Sequence, residues 1–259
     1  MTSVNFDRAA GFYDQTRGMP AYIAGEMASL ALELIGPGAH VLEIGVGTGR
    51  IAKPLLSHGL RLIGIDLSRK MMAHIRSDRP DAKLINGDII RLPLKSTQFD
   101  AVIAVHILHL VSDWQIALAE ARRMLRPGGA LLLGRNDRAS HSAPNVIGDM
   151  REHLRGFLDA RGIRTRAIGA IEDEVRQALL ASGARVEERR TQGWSTHMTL
   201  AADIDGVSNR LWSNLWSVPD DALADGVAEL RRYAIQRFGS TDVAVEGEQH
   251  FVWQRFTWA

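Results

Sequence analysis

Gly45, Gly47 and Gly49 stand at alternate positions in VLEIGVGTGR, between an aliphatic run and a stretch of helical periodicity. Glycine there permits positive φ and lets a ligand approach the main chain without meeting a Cβ. Roughly twenty residues further on, Asp66 closes a second aliphatic run, RLIGID, where its carboxylate is placed to accept hydrogen bonds from two ribose hydroxyls. Loop and carboxylate together read as a nucleoside site. A dinucleotide fingerprint, G-x-G-x-x-G, needs glycine where this chain has Arg50. The acidic Glu43 ahead of the loop would repel a pyrophosphate and could orient an ammonium, so the spacing favours a ligand with a positive end.

A second set of reactive types follows the run FDAVIAV. His106 and His109 leave it three residues apart, His106 as a candidate wall of the nucleoside site and His109 as either a general base or a support of its own loop. No zinc signature surrounds them. A magnesium site would need an acid where Val105-His106 stands, beside Asn136 and Asp137, so no metal is expected. Arg135, Asn136 and Asp137 read as a solvated loop or as acceptor contacts. Trp194, His197, Trp212 and Trp216 read as aromatic packing or as the wall of an acceptor pocket, Trp212 and Trp216 lying at i, i+4 beside Leu211 and Leu215 on one helical stripe.

The elements that must position these groups alternate from residue 39 to 134. Strands AHVLEIG, RLIGIDL, KLINGD, FDAVIAV and ALLLG are separated by amphipathic stretches, the pattern of a parallel sheet covered on both faces. Helices are expected after Thr48, with Pro54 in the first turns; after Ser68 as N-cap, with Met71, Met72 and Ile75 inward; and after Ser112, whose spacing to Gln115 suggests a capping box ahead of Trp114, Leu118, Ala121 and Leu125. The turn Arg126-Pro127-Gly128-Gly129 precedes ALLLG. PAYIAGEMASLALELI, with Ile23, Met27, Leu30 and Leu34 on one stripe, places a helix before the first strand. Later, IEDEVRQALLAS is a helix stopped by Gly183, ARVEERRTQGW and EQHFVWQRFTW are strands, and residues 203–240 hold two helices, one through Leu211–Trp216 and one through Leu223–Ile235.

Composition bounds the function. With 31 Lys+Arg against 30 Asp+Glu the net charge is +1, so no whole-chain field attracts nucleic acid or an anionic bilayer. The absence of cysteine removes thiolate metal sites and cysteine nucleophiles. With no apolar run near about 18 residues and no apolar stretch in MTSVNFDRAAGFYDQTRG, a cytoplasmic protein without membrane or nucleic-acid partners is expected.

From about residue 6 to 135 these motifs resemble the class I S-adenosylmethionine-dependent methyltransferases, specifically the small-molecule branch of ubiquinone- and biotin-pathway enzymes. VLEIGVGTGR and GIDLS are similar to that family's first two motifs, and RMLRPGGALLL to its turn into strand five. The stretch NGDIIRLPLKSTQFDAVIAVHILHLV resembles the one in which an aspartate, here Asp88, meets the adenine amino group and the next residue, Ile89, packs on the ring. FDRAAGFYDQTRG resembles the N-terminal segment whose tyrosine and arginine, here Tyr13 and Arg17, cover the cofactor.

The resemblance implies a Rossmann-like, doubly wound α/β fold with a mostly parallel seven-stranded sheet and a helical cap inserted in the C-terminal part. It implies one domain over 1–259: a cofactor-covering segment and helix (1–38), a cofactor-binding core (39–135), and remaining strands with cap insertions (136–259). S-adenosylmethionine, leaving as S-adenosylhomocysteine, would be held by Tyr13, Arg17, Glu43, Gly45, Gly47, Gly49, Asp66, Leu67, Met71, Asp88, Ile89, Val105 and His106. A small, partly apolar acceptor would take the methyl group in line on O, N or C, in a pocket from segments 136–168 and 194–240 that includes Asn136, Trp194, His197, Trp212 and Trp216; His109 is the candidate base. A monomer or homodimer is expected. The alternatives are a non-catalytic module binding the same cofactor and, against Arg50, a nicotinamide-dependent oxidoreductase.

Overall fold

HVLEI is covered on both faces, Glu43 included, and it becomes the strand around which a parallel sheet is built. In the computed structural model, which describes residues 6–139, 145–165 and 168–258, the chain runs α1 (Tyr13–Arg17), α2 (Ala21–Ile35), β1 (His40–Ile44), α3 (Ala52–Ser57), β2 (Arg61–Asp66), α4 (Arg69–Asp78), β3 (Lys83–Asn86) and β4 (Phe99–Val105). It continues through α5 (Trp114–Met124), β5 (Leu125–Ala139), α6 (Val146–Asp159), α7 (Glu172–Ala181), β6 (Arg185–Arg190), β7 (Trp194–Thr199), α8 (Leu200–Ser208), α9 (Asp220–Phe238) and β8 (Ala244–Thr257). Contacts divide these residues into two units: one runs up to Asp137 and adds Ile168–Gln192 and the chain from Phe251, and the other holds Arg138–Ala167 and Gly193–His250.

The first unit carries the strand order β3-β2-β1-β4-β5-β8-β6. β1 pairs in parallel with β2 (Leu42↔Ile63) and with β4 (Leu42↔Val102), while β6 is antiparallel to residues 252–257 of β8. The chain builds outward from β1 to β3 and then crosses to β4, so the β1 and β4 ends flank the switch point where such sheets bind ligands. Leu42, Ile44, Phe99, Val102, Met124 and Leu131 are fully buried in its core, each contributing about 1.5–3 kcal/mol by leaving water.

Local signals decide the ends. Ser68 caps α4 as expected, its hydroxyl accepting the Met71 N–H at 3.0 Å. At α5 the cap is Asp113 and not Ser112; the Asp113 carbonyl receives the N–H groups of Ile116 and Ala117, and no side-chain cap bond forms. Arg126–Gly129 is a bulge within β5: Phe99 pairs with Leu125, and Ala101 already with Ala130.

The second unit packs α6, α8 and α9 around Met150, Leu154, Leu158, Ile204, Leu223 and Leu230, with β7 antiparallel to residues 244–249 of β8. Two expectations fail here. ARVEERRTQGW is not one strand, since β6 ends at Arg190 and Trp194 begins β7. Nor is there a helix through Leu211–Trp216. α8 stops at Ser208, Arg210 takes φ +53°, and Trp212 is extended ahead of a 3₁₀ turn at Ser213–Leu215. The Arg210 guanidinium explains this, because it donates to the carbonyls of Leu215 (2.6 Å) and Val218 (2.7 Å) and fixes the segment as a loop.

Candidate functional site

The glycine loop leaves β1 with all three glycines at positive φ: +75° at Gly45, +55° at Gly47 and +83° at Gly49. Their roles differ. A Cβ on Gly45 would stand 2.6 Å from the Ile107 side chain, and one on Gly49 2.6 Å from Ile75, so these two are required by the protein's own packing. At Gly47 the nearest atom is Met71 Cε, at 3.5 Å, and both residues line a cavity of about 50 Å³.

That cavity gathers most of the expected nucleoside residues: Tyr13, Gly45, Gly47, Asp66, Leu67, Met71, Ile89, Val105 and His106. The Asp66 carboxylate is held in place by Gly47 N–H on Oδ2 (2.9 Å) and Ser68 N–H on Oδ1 (2.8 Å). Burial raises its pKa, and those two N–H groups pull it back. Asp88 sits one residue before the lining, its Oδ1 accepting the Ile90 N–H at 3.2 Å. Phe6, edge-on to Tyr13 with centroids 6.0 Å apart, and Ile107, Leu110 and Val111 complete the wall. These four were missed because apolar residues in a loop carry no periodic signal.

Glu43, Gly49 and Arg17 do not line the cavity. Glu43 is buried at the end of β1, and burial holds its carboxyl well above the usual range although Arg50 pulls the other way. Arg17 acts on the histidines through its charge. His106, at φ +50°, is pushed down to about 3 by burial and by the Arg50 and Arg17 cations, against the opposing bond from Asn136. His109 is lowered by burial and by Arg17. Both rings are therefore neutral at pH 7.

A second cavity, of about 410 Å³, shares His106 and Ile107 with the first. Ala104, Ile107, Leu108, Leu133, Ala170, Ile171 and Val175 give it apolar walls, with His109, Arg135, Glu172, Asp173 and Gln254 as polar lining. Gly169, whose N–H donates to the His109 carbonyl at 3.0 Å, brings the 170–175 segment against the His109 loop; a Cβ there would meet Leu108 O at 2.1 Å. Arg135 lies 3.6 Å from Glu172 and 3.9 Å from Glu188.

Residues 42–133 match the family model described as a methyltransferase domain. An uncharacterized methyltransferase of Mycobacterium tuberculosis is 28% identical over 211 residues, 80% of this chain and 77% of the relative. Over the matched segment the chain is similar to methyltransferases. The malonyl-[acyl-carrier protein] O-methyltransferase of Serratia marcescens is 28% identical across 78% of this chain and 75% of its own. In fold, the chain is similar to an S-adenosylmethionine-dependent methyltransferase of Thermotoga maritima, with TM-score 0.52, 22% identity and 97% of each chain covered.

The other expected acceptor residues fall elsewhere in the chain. Asn136 bonds the His106 imidazole. In the second unit, Trp194 is buried in β7, and His197 is exposed 3.5 Å from Glu246. Trp212 lies under Arg151, 4.7 Å from its ring centroid, and Trp216 donates to the Arg210 carbonyl at 2.9 Å. Residues 140–144 and 166–167 of the expected pocket segment 136–168, and residues 1–5, lie outside the described residues. The larger cavity is instead lined by the His106–His109 loop and by β5 through Arg135, both offered by the sequence, together with residues 170–173, Val175 and Gln254, which it did not single out.

Proposed function

We propose that this enzyme binds S-adenosylmethionine in the smaller cavity and a small, partly apolar methyl acceptor in the larger one. The observation that carries the reading is His106, a wall shared by both. The residues fit the cofactor: an anchored carboxylate, Asp66, faces the ribose position, Gly47 leaves room for it, and Ile89 and Leu67 offer flat apolar contact to a base. When bound, the cofactor supplies a methyl group already activated on a sulfonium. The chain's own work is then orientation and exclusion of water, where proximity can provide up to roughly 7–11 kcal/mol.

The volume of about 50 Å³ is well below the roughly 300 Å³ at the small end of ligand pockets, so Phe6 and Tyr13 must swing aside for the cofactor and close again over it. At about 410 Å³ the larger cavity holds a small molecule as it stands. His109, neutral and facing that cavity, takes the proton from an acceptor hydroxyl, phenol or ammonium. His106, bonded to Asn136, lines both cavities beside the transfer path and stays neutral. Malonyl-acyl carrier protein, the acceptor that the Serratia relative's name gives, supports a small-molecule or carrier-bound acceptor class here as well.

Calorimetric titration with S-adenosylmethionine, S-adenosylhomocysteine and NADH, on wild type and Asp66→Ala, tests the cofactor assignment, and S-adenosylhomocysteine release with small amines, phenols and carboxylic acids tests the acceptor. Micromolar binding of both sulfur ligands, weakened at least tenfold (about 1.4 kcal/mol) by the substitution, is expected. A folded protein that binds neither ligand refutes the proposal.

A further inference from the structure

Both cavities lie within the first unit, and among the described residues their linings have His106 and Ile107 in common and no others. Whatever passes from one cavity to the other passes these two residues, and both are held. Ile107 rests on Gly45: a Cβ on that glycine would stand 2.6 Å from Ile107 Cγ1, 2.8 Å from Cδ1 and 3.0 Å from Cβ, so the space left by the glycine is the seat of the isoleucine. Its carbonyl accepts the Leu110 N–H at 3.0 Å as it opens the 3₁₀ turn Leu108–Leu110, and its branched Cβ restricts its rotamers. Gly169 N–H, on the His109 carbonyl, pins the same turn from the 170–175 segment. His106, next to Ile107, is fixed at φ +50° and bonded to Asn136. A residue kept in that backbone region is over-determined by its surroundings.

We propose that His106 and Ile107 form the aperture of methyl transfer and that Ile107, seated on Gly45, sets its size, so that a methyl group crosses and a longer alkyl group does not. Resting on the cofactor and acceptor reading above, this makes Ile107 a specificity-determining residue and gives Gly45 a task besides leaving room for a ligand. The crossing involves one carbon. The acceptor atom's lone pair forms a bond to the methyl carbon as the sulfur–carbon bond breaks, the electron pair of that bond staying on sulfur and any acceptor proton going to His109. In-line attack brings the reacting atoms to about 3–3.5 Å, and stiff walls beside that line hold the approach and keep water from it. An ethyl group on the sulfur puts one more carbon against the Ile107 side chain, which has Gly45 behind it and cannot retreat.

Calorimetry with S-adenosylhomocysteine, S-adenosylmethionine and S-adenosyl-L-ethionine, which carries ethyl in place of methyl, on wild type, Ile107→Ala and Ile107→Val tests this without an acceptor. Wild type is expected to prefer S-adenosylmethionine over the ethyl compound about tenfold or more, the discrimination that one methylene produces in a filled pocket. Ile107→Ala should cut the preference to about threefold or less by tightening the ethyl compound, with Ile107→Val between. A damaged fold weakens ligands and does not tighten one of them, so this gain separates the gate from a structural role. A wild-type protein without the preference overturns the proposal, as does a preference that Ile107→Ala leaves unchanged or removes by weakening S-adenosylmethionine alone. If Ile107→Ala does not fold, Ile107→Val decides, tighter ethyl binding supporting the gate and unchanged or weaker binding overturning it. Wild type that binds neither S-adenosylhomocysteine nor S-adenosylmethionine overturns the cofactor reading itself.

Discussion

Alanine at Gly49 and alanine at Gly47 should damage the protein in different ways, although both glycines lie in one motif at positive φ. At Gly49 the φ of +83° costs an L-residue about 1–2 kcal/mol, and a Cβ 2.6 Å from Ile75 Cγ1 adds about 1–3 kcal/mol of overpacking in a filled core. Gly49→Ala should therefore lose about 2–5 kcal/mol of stability, seen as a lower urea midpoint at unchanged slope. At Gly47 the backbone cost is similar, but the nearest atom is Met71 Cε at 3.5 Å, so the packing penalty is absent and the methyl stands in the cavity. Gly47→Ala should lose no more than about 2 kcal/mol of stability and at least tenfold in S-adenosylhomocysteine affinity. A Gly49→Ala protein destabilised by less than about 1 kcal/mol, or a Gly47→Ala protein that binds normally, would refute this division of labour.

The histidines give two more tests. His106 titrates near 3 in the fold against 6.5 outside it, so its contribution is full above pH 6.5 and is lost as pH falls toward 3, where the unfolded chain takes up the proton first. His106→Asn, which tolerates φ +50°, should flatten the acid limb of a stability-versus-pH curve, whereas a limb as steep as wild type would show that another group is responsible. His109→Gln should lower kcat roughly 10²–10³-fold with S-adenosylhomocysteine affinity unchanged. Because the His109 pKa is lowered, wild-type kcat/KM should be level above pH 7 and fall in acid; full activity in the variant would leave His109 as loop support.

The core strands and the helices around them were legible because doubly buried strands are continuous apolar runs and amphipathic helices repeat every 3–4 residues. α6 had the same signal, Val146, Met150, Leu154 and Leu158 at i+4 spacing, and passed unread among polar neighbours. The Trp212–Trp216 stripe shows the opposite error, a helical spacing overruled by a buried arginine that bonds loop carbonyls. Local order along the chain thus determined the strand-loop-helix identity of the glycine motif, the place of Asp66 and the resemblance to methyltransferases. Only tertiary structure decided that Gly45 and Gly49 are required by packing while Gly47 meets only the cavity side, that Asn136 holds His106, and that residues 170–173, Val175 and Gln254 line the larger cavity. Those facts depend on groups far apart in sequence meeting at the ends of β1, β4 and β5, and burial, which sets the charge state of Glu43 and His106, exists only once they have met.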